Sequence, residues 1–223
     1  MRSDSEKTLL PIEIISDVVC PWCFVGKKKL EKALEQFQDQ IVPQIRWRPF
    51  QLSPEIPESG VNYKEHLIQK FGSERALEGA WQKLANIGNE VGIDFHFEKI
   101  EKAPNTIFLH AIASQVEDLQ KRSEIVERLF IAHFTEGLDL TDINQIRDLL
   151  EPYVSNKGVI DTIISNPQIL DEIRQEITYY RQNGVSGVPF FILGDRYSVT
   201  GAQNTEVFVD IIRTILSENS NLS

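Results

Sequence analysis

Two cysteines occur in the chain, as Cys20-Pro21-Trp22-Cys23. Thiols at this spacing can pass between dithiol and disulfide, and the chemistry starts from whichever sulfur is ionised, because a thiolate attacks disulfides and a thiol does not. Pro21 fits the first turn of a helix, where its missing N–H costs nothing. Cys20 then stands at the helix N-terminus, facing unpaired amides and the positive end of the macrodipole, and both favour thiolate over thiol. Cys23, one turn further in, is expected to be buried and protonated. It can close on Cys20 to expel a bound partner.

The elements on either side supply that geometry. Leu9-Leu10-Pro11-Ile12-Glu13-Ile14-Ile15, leading into Ser16-Asp17-Val18-Val19, has the β-branched character and length of a buried strand. After the pair, Leu30, Ala33, Leu34 and Phe37 recur at helical spacing among lysines and glutamates. Strand, C-x-x-C, helix is the setting in which the pair reads as a redox motif. Three other readings compete. A structural disulfide would close too small a loop to restrict the unfolded chain much. Half a zinc site would need further ligands from His66, His96, His110 and His133, no two of which have a close ligand-pair spacing. Two inert buried thiols are the third. Far downstream, Ser186-Gly187-Val188-Pro189-Phe190-Phe191-Ile192-Leu193 places a proline at the entrance to an apolar strand, where it marks a strand start, an edge or a special turn.

At 223 residues the chain can bury a substantial core as one large domain or two small ones. Its net charge of −10 argues against nucleic acid or an anionic membrane surface as the main partner. The N-terminal residues are charged, the run from Thr8 to Val19 is interrupted by Glu13 and Asp17, and no stretch reaches transmembrane length. A cytoplasmic location is expected, in which two cysteines are more often catalytic than structural. Nothing in the sequence specifies a subunit count.

In chain order, residues 8 to 50 read strand-helix-strand, with the second strand at Ile41 to Trp47 parallel to the first. Pro49 to Gly60 is a loop. Helices follow for more than a hundred residues: Asn62 to Phe71, Ser73 to Val91, Pro104 to about Gln120, Ser123 to Phe134, a capping box at Asp142 and Gln145, Val159 to Ile164, and Pro167 to Arg181. Phe190 to Leu193 and Tyr197 to Thr200 flank Gly194-Asp195-Arg196 as a hairpin, and a last helix carries Val207, Phe208, Ile211, Ile212, Ile215 and Leu216. The order implies one α/β core interrupted by helices: residues 1–60 and 172–223 forming the core, residues 61–171 the insertion.

The C-x-x-C and the proline strand together resemble the thioredoxin superfamily, in which a cis-proline faces the cysteine pair. That resemblance implies a cis Val188–Pro189 bond. A helical block between the two motifs is the layout of the DsbA branch, so a thioredoxin-like fold with an all-helical insertion is implied. Within that branch, Ser16 through Cys23, Trp47-Arg48-Pro49-Phe50-Gln51-Leu52, Gly187-Val188-Pro189-Phe190-Phe191 and Gly201-Ala202-Gln203 resemble the cytoplasmic FrnE-like group. One departure stands out: Asn105-Thr106 leads to Leu109-His110-Ala111, where the group tends to carry Ala-His-Arg.

The expected activity is thiol–disulfide exchange of the oxidase, reductase or isomerase type, with Cys20, Cys23 and Pro189 at its centre. Trp22 offers a flat apolar contact, and the backbone of Val188 an edge for an extended substrate segment. Asp17, at the strand end, is a candidate to take the Cys23 proton, or else a backbone-bonded acid. His110 faces the core or the cleft. No metal or organic cofactor is required, with glutathione as a candidate co-substrate. Two rivals stand beside this reading. One is a glutathione-dependent isomerase or transferase of the hydroxychromene-carboxylate isomerase or kappa-class kind, which typically carries serine where Cys20 stands. The other is a redox-gated, chaperone-like binding protein.

Overall fold

Strand β1 (Thr8–Ser16) lies inside the sheet and is buried from both sides. Ile12 and Ile14 are fully enclosed in the main apolar cluster, while Ile15 joins Phe50, Tyr180 and Val185 on the opposite face. Two-sided burial is what its β-branched composition serves, each enclosed aliphatic contributing about 1.5–3 kcal/mol. These features come from a computed structural model that describes residues 7–154 and 158–220.

Helix α1 (Pro21–Leu34) follows, and β2 (Ile41–Pro49) pairs parallel to β1 from Thr8 opposite Ile41 to Ser16 opposite Pro49. The loop from Pro49 to Gly60 runs to a two-residue ladder between β3 (Val61–Asn62) and β4 (Lys102–Ala103). Between and beyond those come α2 (Tyr63–Phe71), capped by Asn62, α3 (Glu74–Glu90), capped by Ser73, and α4 (Ile107–Ser114). Helix α5 (Leu119–Ile131) widens into a π turn over Ala132–Glu136, and α6 (Ile143–Leu150), α7 (Val159–Ser165) and α8 (Gln168–Gln182) complete the helical stretch. The chain then returns to the sheet. Strand β5 (Phe190–Leu193) runs antiparallel to β1, and β6 (Tyr197–Thr200) antiparallel to β5, giving the order β2-β1-β5-β6. Gly194 and Asp195 both take positive φ, 60° and 58°, in the connecting hairpin. Helix α9 (Thr205–Ser220) packs against α1, with Phe208 edge-on to Phe191 at 5.0 Å.

This is the mixed α/β architecture expected, with strands from both ends of the chain in one sheet and the helices between them. One apolar cluster runs through sheet and helices alike. Phe24 of α1 stacks on Phe130 of α5 at 5.1 Å, and Trp47 of β2 meets the same ring edge-on at 6.3 Å. Helix α8 packs on β2 and continues unbroken across residues 171 and 172, where the expected domain boundary falls.

Local differences from the sequence reading have identifiable causes. The helix expected from Pro104 to about Gln120 ends at Ser114, because the Asp118 carboxylate accepts from the amides of Gln120 and Lys121 and starts α5 there. Gln145 donates to the Asp142 carboxylate, and the Asp142 amide donates to the Asp139 carbonyl and not to the Gln145 side chain, so Asp142 caps α6 without the reciprocal bond of a capping box. Val207, expected on the buried face of α9, is exposed, the inner stripe passing through Phe208, Ile212 and Ile215.

Candidate active site

Cys20 is the residue before the first turn of α1, in extended conformation with Pro21 opening the helix. Its amide donates to the Asp17 carbonyl at 3.0 Å, and its carbonyl accepts from the amides of Cys23 and Phe24 at 3.0 and 3.3 Å. Its sulfur therefore lies at the amide end of α1, where a negative charge is favoured. The same sulfur is 3.7 Å from the Val188 carbonyl oxygen, across the fold. Val188–Pro189 is cis, as the resemblance implied. The Pro189 carbonyl is occupied by the Gly201 amide at 2.8 Å.

Close approach of α1 to this strand depends on Gly26. A Cβ there would lie 2.9 Å from the Phe191 ring and 3.1 Å from Pro189, so the bare backbone is what lets the helix settle beside the proline. Cys23 is fully buried, Cys20 is nearly so at 3 % exposure, and both are free thiols. Burial pushes the Cys23 thiol well above its ordinary value, reinforced by the adjacent Cys20 sulfur and opposed by Ser16 and the Asp17 backbone. Trp22 is half-buried against the apolar cluster.

Asp17 is buried and bonded to backbone. Its Oδ2 accepts from the Leu52 amide at 2.8 Å and its Oδ1 from Val19 at 3.5 Å. His110 is buried too, its Nε2 lying 2.9 Å from the Phe50 carbonyl, to which it donates, and 3.6 Å from Asp17 Oδ1. The two therefore meet at the start of the Pro49–Gly60 loop and hold it down. Asn105 fastens the same loop, accepting from Gln51 at 2.8 Å and donating to the Ile56 carbonyl at 2.6 Å, and its Oδ1 also accepts from the Ile107 amide just before α4. Arg181 donates to the Gln51 carbonyl at 2.6 Å. Glu13 is drawn off to the other side, into an ion pair with Arg48.

Buried polar residues that carry no role in the sequence reading, or only that of an unsupported zinc ligand in the case of His133, also lie in this part of the fold. His133, in the π turn, is fully buried with neither ring nitrogen bonded, and burial pushes its pKa down to about 4 against the pull of Asp17. Tyr63 packs edge-on to it at 5.8 Å and is pushed upward by burial. Ser16, ending β1, is buried, and its hydroxyl has no hydrogen-bond partner among the described residues. A histidine within an apolar helix pattern and a serine ending a strand carry no local signal, and burial alone distinguishes them. Among the described residues, no cluster of three or more His, Cys, Asp or Glu is arranged to hold a metal, and no helix is long and apolar enough to cross a membrane.

Residues 11–213 match the model of the DSBA-like thioredoxin domain family. The chain belongs to that family. An uncharacterized Bacillus subtilis protein, YwbO, is 25% identical to this DSBA-like chain over 198 residues, 88% of it and 92% of YwbO. A probable DsbA oxidoreductase from Streptomyces coelicolor superposes with a TM-score of 0.83 at 25% identity, covering 94% of this chain and 91% of its own. A 2-hydroxychromene-2-carboxylate isomerase (TM-score 0.72, 15% identity, 96% and 99% covered) shares the fold. So does the Pseudomonas aeruginosa cytosolic disulfide reductase DsbM solved with GSH (TM-score 0.62, 15% identity, 93% and 99% covered).

Proposed function

We propose that this DSBA-like protein exchanges protein or small-molecule disulfides through Cys20 and Cys23. The observation that carries this reading is the Cys20 sulfur, held at the amide end of α1 and facing the Val188 carbonyl, with Cys23 buried one turn behind. In the reducing direction, the Cys20 thiolate attacks a substrate disulfide, forms a mixed disulfide and releases one substrate thiol. The Cys23 sulfur then attacks Cys20, releases the second thiol and leaves the pair as a disulfide, two electrons having passed to the substrate. The oxidised pair runs the same steps backwards. Val188 presents its backbone to an extended substrate segment, Pro189 and Trp22 flank the reacting sulfur, and Asp17 with His110 holds the loop beside it.

A FrnE-like grouping, a cytoplasmic location, glutathione as a co-substrate and a division into residues 1–60 with 172–223 and residues 61–171 belong to the same proposal. The motifs from Ser16 to Cys23 and from Trp47 to Leu52 support the grouping, the charged N-terminal residues the location, the order of strands and helices the division, and the DsbM structure with GSH the co-substrate. Turnover of a scrambled disulfide protein, followed with trapping of adducts by mass spectrometry, tests the reading. Cys20→Ser is expected to abolish turnover, and Cys23→Ser to accumulate a mixed disulfide on Cys20. Turnover surviving Cys20→Ser would overturn it.

A further inference from the structure

Strand β2 forms one edge of the sheet, and a cavity of about 40 Å³ adjoins its end, with Ser16, Arg48, His110, Arg122 and Glu176 among its walls. That volume has room for about two or three waters, or for one small ion of similar bulk. Two guanidiniums on so small a space are unfavourable, because they repel one another and burial disfavours the charge on each. Burial and the nearby Arg48 guanidinium hold the Arg122 pKa below its ordinary value. Arg122 donates from Nε to the Val116 carbonyl at 2.9 Å and from Nη2 to the Ser114 carbonyl at 3.2 Å. Among the described residues it forms no ion pair with a carboxylate, so part of its donor fork is left for another acceptor. Arg48 reaches Glu176 at 3.3 Å and is held on its other side by Glu13, which lines an outer groove and not the cavity. Glu176 is thus the one carboxylate on a wall that carries two guanidiniums. Ser16 adds a hydroxyl, 2 % exposed and without a hydrogen-bond partner among the described residues.

We infer that this cavity is a binding site for one small monovalent inorganic anion, of the size of chloride or nitrate, held between Arg48 and Arg122 with the Ser16 hydroxyl as a further donor. An anion there is a counter-charge shared by both guanidiniums, and it ties α5 to β2 and α8 through charge-assisted hydrogen bonds. The chain's net charge of −10 works against anions gathering over the surface at large, so selective binding calls for an enclosed cationic site of this kind. Arg48 and Glu176 also line the groove, an open space of about 610 Å³ beside Tyr179 and Phe190. Their ion pair stands between groove and cavity, and its parting opens a way in. The dithiol plays no part in this site.

Thermal unfolding at fixed ionic strength, with sodium gluconate replaced stepwise by sodium chloride, separates occupancy of the cavity from general screening, since gluconate is too large to enter. The wild-type midpoint is expected to rise by about 2–4 °C and level off once chloride exceeds its dissociation constant several-fold. Chloride-35 NMR of the same solutions is expected to show a broadened resonance that narrows when nitrate is added in excess. Arg122→Gln is expected to abolish both effects. Glu176→Gln removes the opposing carboxylate and is expected to lower the chloride concentration at half-effect about threefold or more. It decides the matter if Arg122→Gln does not fold. Equal wild-type midpoints in chloride and gluconate, or an unbroadened chloride resonance, would mean that the cavity takes water alone and would overturn the site. A chloride effect that survives in Arg122→Gln, or that weakens in Glu176→Gln, overturns it as well.

Discussion

His133 is a buried imidazole with no partner for either nitrogen, so the folded protein holds it neutral. Its pKa lies at about 4 when folded against 6.5 when unfolded. The folded-state value is the lower one, so the stability tied to this residue is present above pH 6.5 and lost as pH falls towards 4. The difference corresponds to roughly 3 kcal/mol at the acid end. Urea unfolding of wild type and His133→Phe across that window is expected to show the variant losing less stability on acidification. Parallel curves would reject the assignment. At this scale the sequence was legible where spacing carries the meaning: Cys20 and Cys23 announce themselves as a pair. Ser16 and His133 do not, because their importance comes from what tertiary packing withholds from them.

Elements were legible where local chemistry decides and obscure where it is evenly balanced. The β5–β6 hairpin follows from Gly194-Asp195-Arg196 between two apolar runs. The stop between α4 and α5 does not show in the sequence, because residues 115–118 include good helix formers and only the Asp118 side chain ends the ambiguity. Gly26 belongs to the same class: within a helix it reads as a weak point, whereas here it is the contact between α1 and the strand carrying Pro189. Gly26→Val is therefore expected to destabilise by about 1–3 kcal/mol through overpacking, measurable as a lower urea midpoint. An unchanged or raised midpoint would show that the two elements have slack between them.

For the whole molecule, the order of elements in the sequence was enough to place both chain ends in one sheet, since a strand-rich beginning and end around a helical middle leave few other arrangements. How tightly the middle is bound to the sheet was not legible, because it depends on long-range packing. Phe24, Trp47 and Phe130 join α1, β2 and α5 in one aromatic group. Lys27, nearly buried on α1, pairs with Glu31 and reaches Glu127 of α5 at 3.0 Å. The parts are expected to unfold together. Fluorescence of Trp47, in a chain carrying Trp22→Phe and Trp81→Phe, should trace the same urea transition as far-UV circular dichroism. Separated midpoints would mean that the helical segment melts independently.

The sulfur at position 20 and the carbonyl at position 188 stand 168 residues apart along the chain. A growing polypeptide on the ribosome thus carries its dithiol from the outset, but lacks the backbone edge that would seat a client until nearly all of it has been made. On the proposed reading, the dithiol would be present early in synthesis and its substrate seat would arrive late, when the returning strand closes beside β1.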